Sequence, residues 1–405
     1  MRNLIPKRRF EEFKNSDPWE QRKLGELVEW SRGSSLPKSV INDKKIGTDV
    51  IHYADLYKFS PVINDVIHWS ESEEGTIIPK NSLLFPMSDV TPIGLARTST
   101  ITKNGVKAGG DTLIGTLDES INAEFMSYQI NANAKDIIPF VTGTTVRHIS
   151  SNSLNKLNVS ITNIEEQMKI SRLLNKLRNL ITLHQRKLDK LKETKSAYLS
   201  EMFPKDGEFY PKRRFVGFTD PWEQRKLKDM TDYKNGKGHE DRQSDSGKYE
   251  LVNLNSISID GGLKPSGKFV DHTTDTLLEN DLVMVLSDVG HGDLLGRVAL
   301  IPRDGRFVLN QRVALLRPNG TVEPQFLFSY INAHQRYFKS QGAGMSQLNI
   351  SKGSVENFVL YVPKKEEQVK IGTLFKNLDN LIILHQRKLD KLQALKQAYL
   401  SEMFV

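Results

Sequence analysis

Apolar residues recur at every third or fourth position in two long segments of the chain, 165–203 and 366–404. This spacing, near 3.5 residues, continues for about four heptads and predicts two long helices that pair as a coiled coil. At about 1.5 Å per residue, each helix would be about 58 Å long. Because a lone helix would leave its apolar stripe in water, we expect the two to pack antiparallel. The first stripe contains Leu174, Leu177, Ile181, His184, Leu188, Leu191, Lys195, Tyr198 and Met202, and the second contains Phe375, Leu378, Ile382, His385, Leu389, Leu392, Lys396, Tyr399 and Met403.

The predicted helix ends carry local signals. Asn163 is placed to cap the first helix, with the Glu166 carboxylate reaching back to complete a capping box. Pro204 should end this helix, because proline cannot continue it. Pro363 precedes the second helix, and the segment 204–220 is long enough to act as a linker that lets the chain return.

The chain contains an internal repeat. Two leaders, residues 6–24 and 211–227, both begin Pro-Lys-Arg-Arg-Phe and end Asp-Pro-Trp-Glu-Gln-Arg-Lys-Leu. The helical segments repeat at a constant offset of 201 positions, and each ends Ala-Tyr-Leu-Ser-Glu-Met-Phe. Between these blocks, segments 25–162 and 228–363 diverge strongly. A constant frame with two different inserts predicts one architecture with two different recognition surfaces, unless one copy has drifted and become idle.

The divergent segments retain a faint common skeleton. Leu83–Val90 resembles Leu282–Val289, and Gly143–Ser150 resembles Gly344–Ser351 at both ends. Short runs of branched apolar residues bounded by Gly, Pro or Asp predict β-rich or α/β domains, with helices near 122–131 and 324–338. The predicted strands are 50–53, 106–108, 251–254, 297–301 and 313–316.

Composition narrows the class of protein. A length of 405 residues fits two domains, and the net charge of +8 with a pI near 9.2 permits a polyanionic partner without naming one. There is no cysteine, which excludes disulfides and thiolate zinc sites and permits a reducing cytoplasm. The N-terminus lacks the apolar core of a signal peptide, and no apolar run approaches the length of a membrane helix, so no membrane partner is expected.

Catalytic motifs are not recognisable in the sequence. Residues 262–268 have the spacing of a phosphate-binding loop, but Phe269 stands where a hydroxyl should hold Mg²⁺, and a turn is the simpler interpretation. Glu193 and Lys195 have nuclease-like spacing, yet they fall inside the predicted helix. His184 and His385 lie on the apolar stripes, where they either set the register or are simply packed. We therefore expect a chain that is not an enzyme and holds no metal.

These patterns resemble the specificity (S) subunits of type I restriction-modification systems. The resemblance is carried by the leaders, Arg214–Leu227 and more loosely Arg9–Leu24, and by the loops at 143–145 and 344–346. It also includes the helices that begin with Glu-Glu-Gln and close with Ser-Glu-Met-Phe. Each motif is weak alone, but their order, repeated twice, is specific and spans essentially the whole chain. One departure is Thr162, which stands where the second copy has Pro363.

The resemblance implies an α+β fold with two globular target-recognition domains, separated by two long antiparallel coiled-coil helices in a pseudo-two-fold repeat. The implied segments are the leader with the first recognition domain (1–162), the first spacer helix (163–203) and the linker (204–220). The second recognition domain (221–362) and the second spacer helix (363–405) follow.

The resemblance also implies the partners. Each recognition domain would read one half of a bipartite site in double-stranded DNA. The helices would dock two methyltransferase (M) subunits of an adenine-methylating complex, which restriction (R) subunits then join. Methyl donor, ATP and Mg²⁺ belong to those subunits, so no cofactor is expected on this chain. The two helices are also identical at positions outside their apolar stripes. This identity is expected if each helix binds one of two identical partners, although recent duplication explains it equally well. The positions are Gln185, Arg186, Lys187, Asp189, Lys190, Gln386, Arg387, Lys388, Asp390 and Lys391.

Candidate DNA contacts lie in loops rich in groups that bind base edges or phosphates. In the first half they are Arg32, Lys38, Ser88, Asp89, Arg97, Thr144, Thr145 and Arg147. In the second half they are Lys237, His239, Arg242, Ser287, His291, Arg297, Ser346 and Gln347. For any one of them, a solvated loop or a phosphate contact is an open alternative to base reading.

Three other functions remain alternatives at this stage. The chain could be the targeting subunit of another multi-subunit restriction system, or a coiled-coil assembly protein whose two heads bind protein. A nuclease or methyltransferase is disfavoured by the missing motifs. Steep salt dependence of binding would separate a DNA reader from a protein scaffold.

Overall fold

The computed structural model describes residues 4–58, 60–289, 292–345 and 347–405. The chain forms two compact units. The first unit comprises Met1–Gln185 and Arg387–Val405, and the second comprises Arg186–Gln386. Each unit therefore contains one end of each long helix.

The two long helices span Ile164–Glu201 and Lys365–Glu402, and each has 38 residues. In the first unit, Ile170 and Leu174 pack with Met403 and Phe404 in one apolar cluster. Further along the same segments, burial and the nearby positive charge of Arg178 lower the pKa of Lys396. Residue numbers rise along one segment as they fall along the other, so the two segments run antiparallel.

The second unit contains the reciprocal helix pairing. Lys195 Nζ lies 2.6 Å from Asp379 Oδ1. The Phe203 ring, just beyond the end of the first long helix, stacks on Phe375 with centroids 5.7 Å apart. These segments are again antiparallel, as the apolar stripes predicted.

Each leader packs on the end of a long helix. In the first unit, the Arg8 N–H donates to the Glu402 carbonyl at 2.8 Å, and Trp19 meets Phe404 edge-on at 6.3 Å. In the second unit, the Arg213 N–H donates to the Glu201 carbonyl at 2.8 Å. Trp222 is buried in the cluster that also contains Met202 and Phe203. The repeated leader and the repeated Met-Phe helix end are thus two sides of one contact.

The Glu-Glu-Gln start of each long helix holds its unit together. Arg9 forms two bonds to Glu166, Nε to Oε1 at 2.7 Å and Nη2 to Oε2 at 2.8 Å. Arg214 binds Glu367 through Nε and Nη2 in the same way, both at 2.7 Å. The next residue, Gln167, accepts the Asn122 N–H at 2.9 Å and donates to the Thr162 carbonyl at 2.6 Å.

The predicted capping box at the first long helix forms only in part. Asn163 Oδ1 accepts the Glu166 N–H at 2.9 Å, as predicted for the cap. The Glu166 carboxylate, however, is turned towards Arg9 and also accepts from Thr162 Oγ1 at 2.6 Å. A charged guanidinium is a stronger partner than a backbone N–H, so the carboxylate binds the leader instead of closing the box.

The first unit is built around two sheets that share a core. The five-stranded sheet has the order Val28–Arg32, Thr112–Leu117, Ser82–Pro86, Ser99–Ile101, Val62–Ile63. The four-stranded sheet has the order His68–Ser70, Thr48–Ile51, Lys107–Ala108, Thr76–Ile77. Glu20–Lys23 pairs with Asn158–Ile161, and Ser88–Asp89 pairs with Arg147–His148. Leu83 and Phe85 face one apolar cluster and Leu84 faces another, so this central strand is apolar throughout.

The second unit repeats this topology with one strand fewer in each of its two main sheets. Its four-stranded sheet has the order Thr231–Asn235, Val313–Pro318, Leu282–Val285, Val298–Leu300. Its three-stranded sheet has the order Phe269–Val270, Tyr249–Val252, Phe307–Leu309. Glu223–Lys226 pairs with Val359–Val362, and Ser287–Val289 pairs with Gln347–Asn349. Leu282 and Met284 alternate with Val283 and Val285 between two clusters, as in the first unit.

Short helices complete both units. The α-helices are Pro92–Leu95, Ala123–Ala132, Ser151–Leu154, Pro324–Ala333, Gln335–Ser340 and Lys352–Glu356. The 3-10 helices are Glu11–Phe13, Leu24–Glu26, Lys38–Val40, Tyr53–Tyr57, Ala134–Asp136, Ile138–Phe140, Leu227–Asp229 and Leu254–Ser256. The stretch predicted as helical near 324–338 is split at His334, whose ring stacks on Tyr330 at 4.2 Å and whose Nδ1 lies 2.8 Å from the Tyr330 carbonyl.

Candidate nucleic-acid interface

A small two-stranded ribbon stands apart from the main sheets of the first unit. This first ribbon pairs Ser88 with His148 and Asp89 with Arg147, antiparallel. Ser88 Oγ and His148 Nδ1 lie 3.1 Å apart across it. The chain reaches the second strand through a tight turn that begins at Gly143, whose φ of +97° favours glycine.

The second unit has the same ribbon. This second ribbon comprises Ser287–Val289 and Gln347–Asn349, and it pairs Ser287 with Asn349 and Asp288 with Leu348. Ser287 Oγ donates to Asn349 Oδ1 at 2.6 Å, which matches the Ser88–His148 contact of the first ribbon. Gly344, at φ +135°, occupies the turn position of Gly143.

The ribbons explain the faint skeleton seen in the sequence. In each unit, the two segments that resemble their counterparts in the other unit form the two strands of the ribbon. The Ile-Ser pair that follows is structural, since Ile149 and Ile350 are buried. Ser150 and Ser351 cap short helices by accepting backbone N–H groups at 3.2 and 3.0 Å. The major groove of B-DNA admits a two-stranded β-ribbon, so each unit carries an element of suitable size.

Concave polar surface adjoins the first ribbon. A cavity of about 390 Å³ brings Arg32, at the end of its strand, close to Ser88 and His148. The cavity is lined by Arg32, Met87, Ser88, Asp111, Thr142, His148, Ile149 and Ser150. Of the predicted contacts, Arg32 and Ser88 are therefore gathered at one place, and His148 joins them. The pairing of the ribbon strands, which sequence reasoning did not consider, identifies His148 and Asn349.

Two predicted arginines have structural partners inside their units. Arg97 donates from Nη1 to the Tyr57 carbonyl at 2.7 Å, with its guanidinium 5.7 Å from the centre of the Tyr57 ring. The Tyr57 hydroxyl in turn donates to the Ser88 carbonyl. Arg297 donates from Nη1 to the Asn332 carbonyl at 3.1 Å, and burial lowers its pKa. Arg97 is thus linked to the first ribbon through Tyr57, and Arg297 is bound to the helix Pro324–Ala333, which favours a positioning role for both.

The two ribbon aspartates also bind their own backbone. Asp89 Oδ1 accepts the Thr91 N–H at 3.0 Å, and Asp288 Oδ2 accepts the Leu294 N–H at 2.9 Å. An aspartate that organises a loop of this kind is held in place by backbone donors. These carboxylates therefore shape the loop that follows each ribbon.

The remaining predicted DNA contacts differ in exposure. Arg147 is half-buried in the first ribbon and donates from Nη1 to the Gly143 carbonyl at 3.1 Å. Gln347, half-buried in the second ribbon, donates to Asn349 Oδ1 at 3.3 Å. The exposed members are Lys38, Thr144, Thr145, Lys237 and Arg242, and His239 is half-buried. His291 and Ser346 lie outside the described residues.

The predicted partner-binding residues lie on the surfaces of the long helices. All are exposed except Gln386, which is half-buried. In the first unit they are Gln185, Arg387, Lys388, Asp390 and Lys391, and in the second they are Arg186, Lys187, Asp189, Lys190 and Gln386.

The described residues form neither a metal site nor a membrane-spanning helix. Within residues 4–58, 60–289, 292–345 and 347–405, no group of three His, Asp or Glu side chains is placed to hold a metal ion. In that same part of the chain, no helix is long and apolar enough to cross a membrane.

Each of the two β-rich units carries a ribbon and contains one end of each long helix. The sequence profile of the type I restriction modification DNA specificity domain matches residues 16–193 and 219–394. The chain therefore belongs to this family, and the predicted resemblance is confirmed. Its role is that of a specificity subunit, in which catalysis is left to other subunits.

Individual relatives agree with this assignment. The chain is 19% identical to the type I restriction enzyme MjaVIII specificity subunit of Methanocaldococcus jannaschii, over 95% of this chain and 92% of the relative. It is 24% identical to the putative MjaX specificity subunit of the same organism, over 49% of this chain and 50% of that protein. The crystal structure of a type I restriction-modification S subunit from M. genitalium aligns with a TM-score of 0.66, over 99% of both chains at 16% identity. This likeness confirms the predicted fold class, with two recognition domains of mixed helix and sheet.

Proposed function

We propose that this chain reads a bipartite sequence in double-stranded DNA, with each unit reading one half through its ribbon. The observation that carries the proposal is the pair of ribbons, which share their register but differ in side chains. Where the first ribbon has Arg147 and His148, the second has Leu348 and Asn349. Equal frames with unequal contact groups suit two different half-sites, and one covalent chain removes any need for a palindrome.

Base reading is assigned to the polar groups of the ribbons. Asn349 resembles the asparagine that binds an adenine edge, and the Arg147 guanidinium resembles the arginine that binds a guanine edge. Exposed cations elsewhere in the two units, such as Lys38, Lys237 and Arg242, suit phosphate contacts that orient the chain. Arg97 supports the first ribbon through Tyr57, and Asp89 and Asp288 bind backbone N–H groups that follow the ribbon strands.

The partners follow from the same proposal. The chain directs two methyltransferase subunits to the site, and restriction subunits join the complete complex in the cytoplasm. The methyltransferases would dock on the exposed helix residues that are identical in both copies, including Lys187 and Lys388. Methyl donor, ATP and Mg²⁺ are then held by those subunits.

Methylation mapping of genomic DNA tests the reading role. Cells expressing this chain with its cognate methyltransferase subunit are compared with cells that lack the chain. A bipartite methylated motif with a fixed gap, present only with the chain, is expected. An active methyltransferase complex that yields no motif would favour a protein scaffold instead.

Ribbon variants sharpen this experiment. Replacing His148 with Ala should alter one half of the mapped motif, and replacing Asn349 with Ala should alter the other half. Ile77, exposed on the edge of the four-stranded sheet, supplies a matched control through Ile77→Ala. If both ribbon variants weaken the whole motif equally, the ribbons do not read separate halves.

Charge reversal tests the docking surface. The pair Lys187→Glu and Lys388→Glu should reduce the number of bound methyltransferase subunits, measured by native mass spectrometry. Lys192→Glu is the control, because Lys192 is also exposed but the second copy has Gln393 at that position. Normal assembly of the double variant would move the docking surface away from these residues.

A further inference from the structure

An exposed valine follows the Ser-Asp pair of each ribbon. The Val90 side chain is 72% exposed and that of Val289 is 66% exposed. Single exposed apolar residues are common on protein surfaces and need no explanation alone. Here, however, the same residue type is exposed at the same place in two units whose recognition segments otherwise diverge.

Each valine follows an aspartate whose carboxylate accepts backbone N–H groups. In the first unit, the Asp89 carboxylate accepts the Thr91 N–H and lies against Gly94, where even a Cβ atom would be 1.5 Å from its Oδ2. In the second unit, the Asp288 carboxylate accepts the Leu294 N–H at 2.9 Å. In each unit the carboxylate before the valine is thus bound to backbone N–H, and the valine side chain is exposed to solvent.

Each valine lies beside polar groups of its ribbon, and other exposed apolar residues, Val146 in the first unit and Met345 in the second, occur in the loops that lead to the second ribbon strands. Val90 follows the strand that carries Ser88, and Val289 ends the strand that carries Ser287, so each lies on the element assigned to base reading. In the major groove, the apolar feature that a side chain can contact is the C5-methyl group of thymine. An aliphatic side chain beside hydrogen-bonding groups is therefore matched to an A·T pair next to the bases that those groups read.

We infer that Val90 and Val289 each contact the C5-methyl group of a thymine, so that each half-site contains an A·T pair at the contacted position. This inference rests on the proposed function, since it assumes that the ribbons enter the major groove. It adds a specificity contact that depends on burial of a methyl group and not on hydrogen bonding.

Uracil substitution provides the test, because uracil pairs like thymine but lacks the methyl group. Once the motif is known, duplexes are made in which each thymine in turn is replaced by uracil. Their dissociation constants are measured with the full chain assembled with its methyltransferase subunits at one salt concentration. One position in each half-site should bind about fourfold more weakly, the effect of losing one buried methyl group.

Valine variants then link each position to a side chain. Val90→Ser, which removes both methyl groups, should abolish the uracil effect in one half-site and preserve it in the other. Val289→Ser should do the reverse. Val216→Ser is the matched control, because Val216 is 99% exposed in the second leader, far along the chain from either ribbon strand. It should leave both uracil effects unchanged.

Several results would overturn the inference while leaving the proposed function intact. One is specific binding that no uracil substitution weakens. A uracil effect that persists in both ribbon variants would also reject it. So would loss of methyltransferase subunits from the valine variants with unchanged uracil effects, which would make the valines protein contacts. Failure of the proposed function looks different, because no sequence-specific binding would then be measured at all.

Discussion

The buried ion pair between each leader and its long helix predicts a large local effect of one substitution. Glu166→Gln keeps the shape of the side chain but removes the charge that Arg9 faces. Both side chains are almost fully buried, with relative exposures of 4% for Arg9 and 0% for Glu166. The variant therefore removes the carboxylate that binds the buried Arg9 guanidinium through two bonds, and leaves the Arg9 Nη1 bond to the Ser16 carbonyl at 2.9 Å and the electrostatic attraction of Asp17.

The expected magnitude follows from this burial. Removing one partner of a buried pair costs about 3–5 kcal/mol, because the remaining charge stays desolvated. Glutamine can still accept one of the two bonds that Arg9 makes to the side chain at position 166, at 2.7 and 2.8 Å. We therefore expect a loss at the lower end of this range, about 3 kcal/mol. Glu367→Gln in the second unit should cost less, since the Arg214 side chain is 14% exposed and water can reach it.

Hydrogen exchange with mass spectrometry measures this effect locally, which matters in a chain with two units. Peptides from the first leader, residues 6–24, should exchange about a hundredfold faster in Glu166→Gln. Peptides from the second leader, residues 211–227, should be unchanged. Glu26→Gln is the control, because the Arg22–Glu26 pair is 35% and 49% exposed and solvent screens the attraction within such a pair.

Two outcomes would refute this reasoning. If Glu166→Gln and Glu26→Gln change exchange of the first leader by similar factors, burial of the pair does not set its contribution. If both leaders respond equally to Glu166→Gln, the ion pair does not stabilise its own unit in particular.

Three further predictions concern the helix end, the first ribbon and the second unit. Deleting 403–405 should lower the stability of the first unit by about 3–5 kcal/mol in urea unfolding, since Phe404 is buried against Trp19, whereas deleting Val405 alone should be nearly neutral. Arg147→Ala should relax one half of the methylated motif, while a uniform loss over all sequences would make Arg147 a phosphate contact. Burial lowers the pKa of His334, so the unfolded chain takes up the proton first and the second unit should lose stability below about pH 6.5. His334→Asn, which copies the cap residue Asn133 of the first unit, should remove that slope in thermal melts over pH, and an unchanged slope would show that other groups cause it.

The helices and their pairing were accessible from the sequence. The apolar stripe predicted helices over 165–203 and 366–404, and the structure has Ile164–Glu201 and Lys365–Glu402. Helical periodicity is set by residues close together in the sequence, so it can be recognised without knowing which segment the helix packs against. The incomplete capping box could not be predicted, because it depends on a residue far away in the sequence. Arg9, which draws the Glu166 carboxylate away, is 157 positions distant in the chain.

The candidate site was accessible only in part. The resembling segments around Ser88 and Gly143 were visible as letters, but nothing local indicated that they pair with each other. Arg97 and Arg297 were predicted as DNA contacts because they lie in polar loops. Their bonds to the Tyr57 and Asn332 carbonyls depend on how distant strands pack, which composition does not report.

By itself, the sequence determined that this protein has one frame used twice, with two long helices and two unlike inserts, and it pointed to the family. Repeats and heptads are patterns in the amino-acid sequence, so they can be recognised without a structure. The tertiary structure decided which residues of each insert share a surface. The register Ser88–His148 and Ser287–Asn349 joins residues 60 and 62 positions apart. Such pairings are selected by the packing of whole sheets, because a one-residue slip would reverse every side chain between core and solvent.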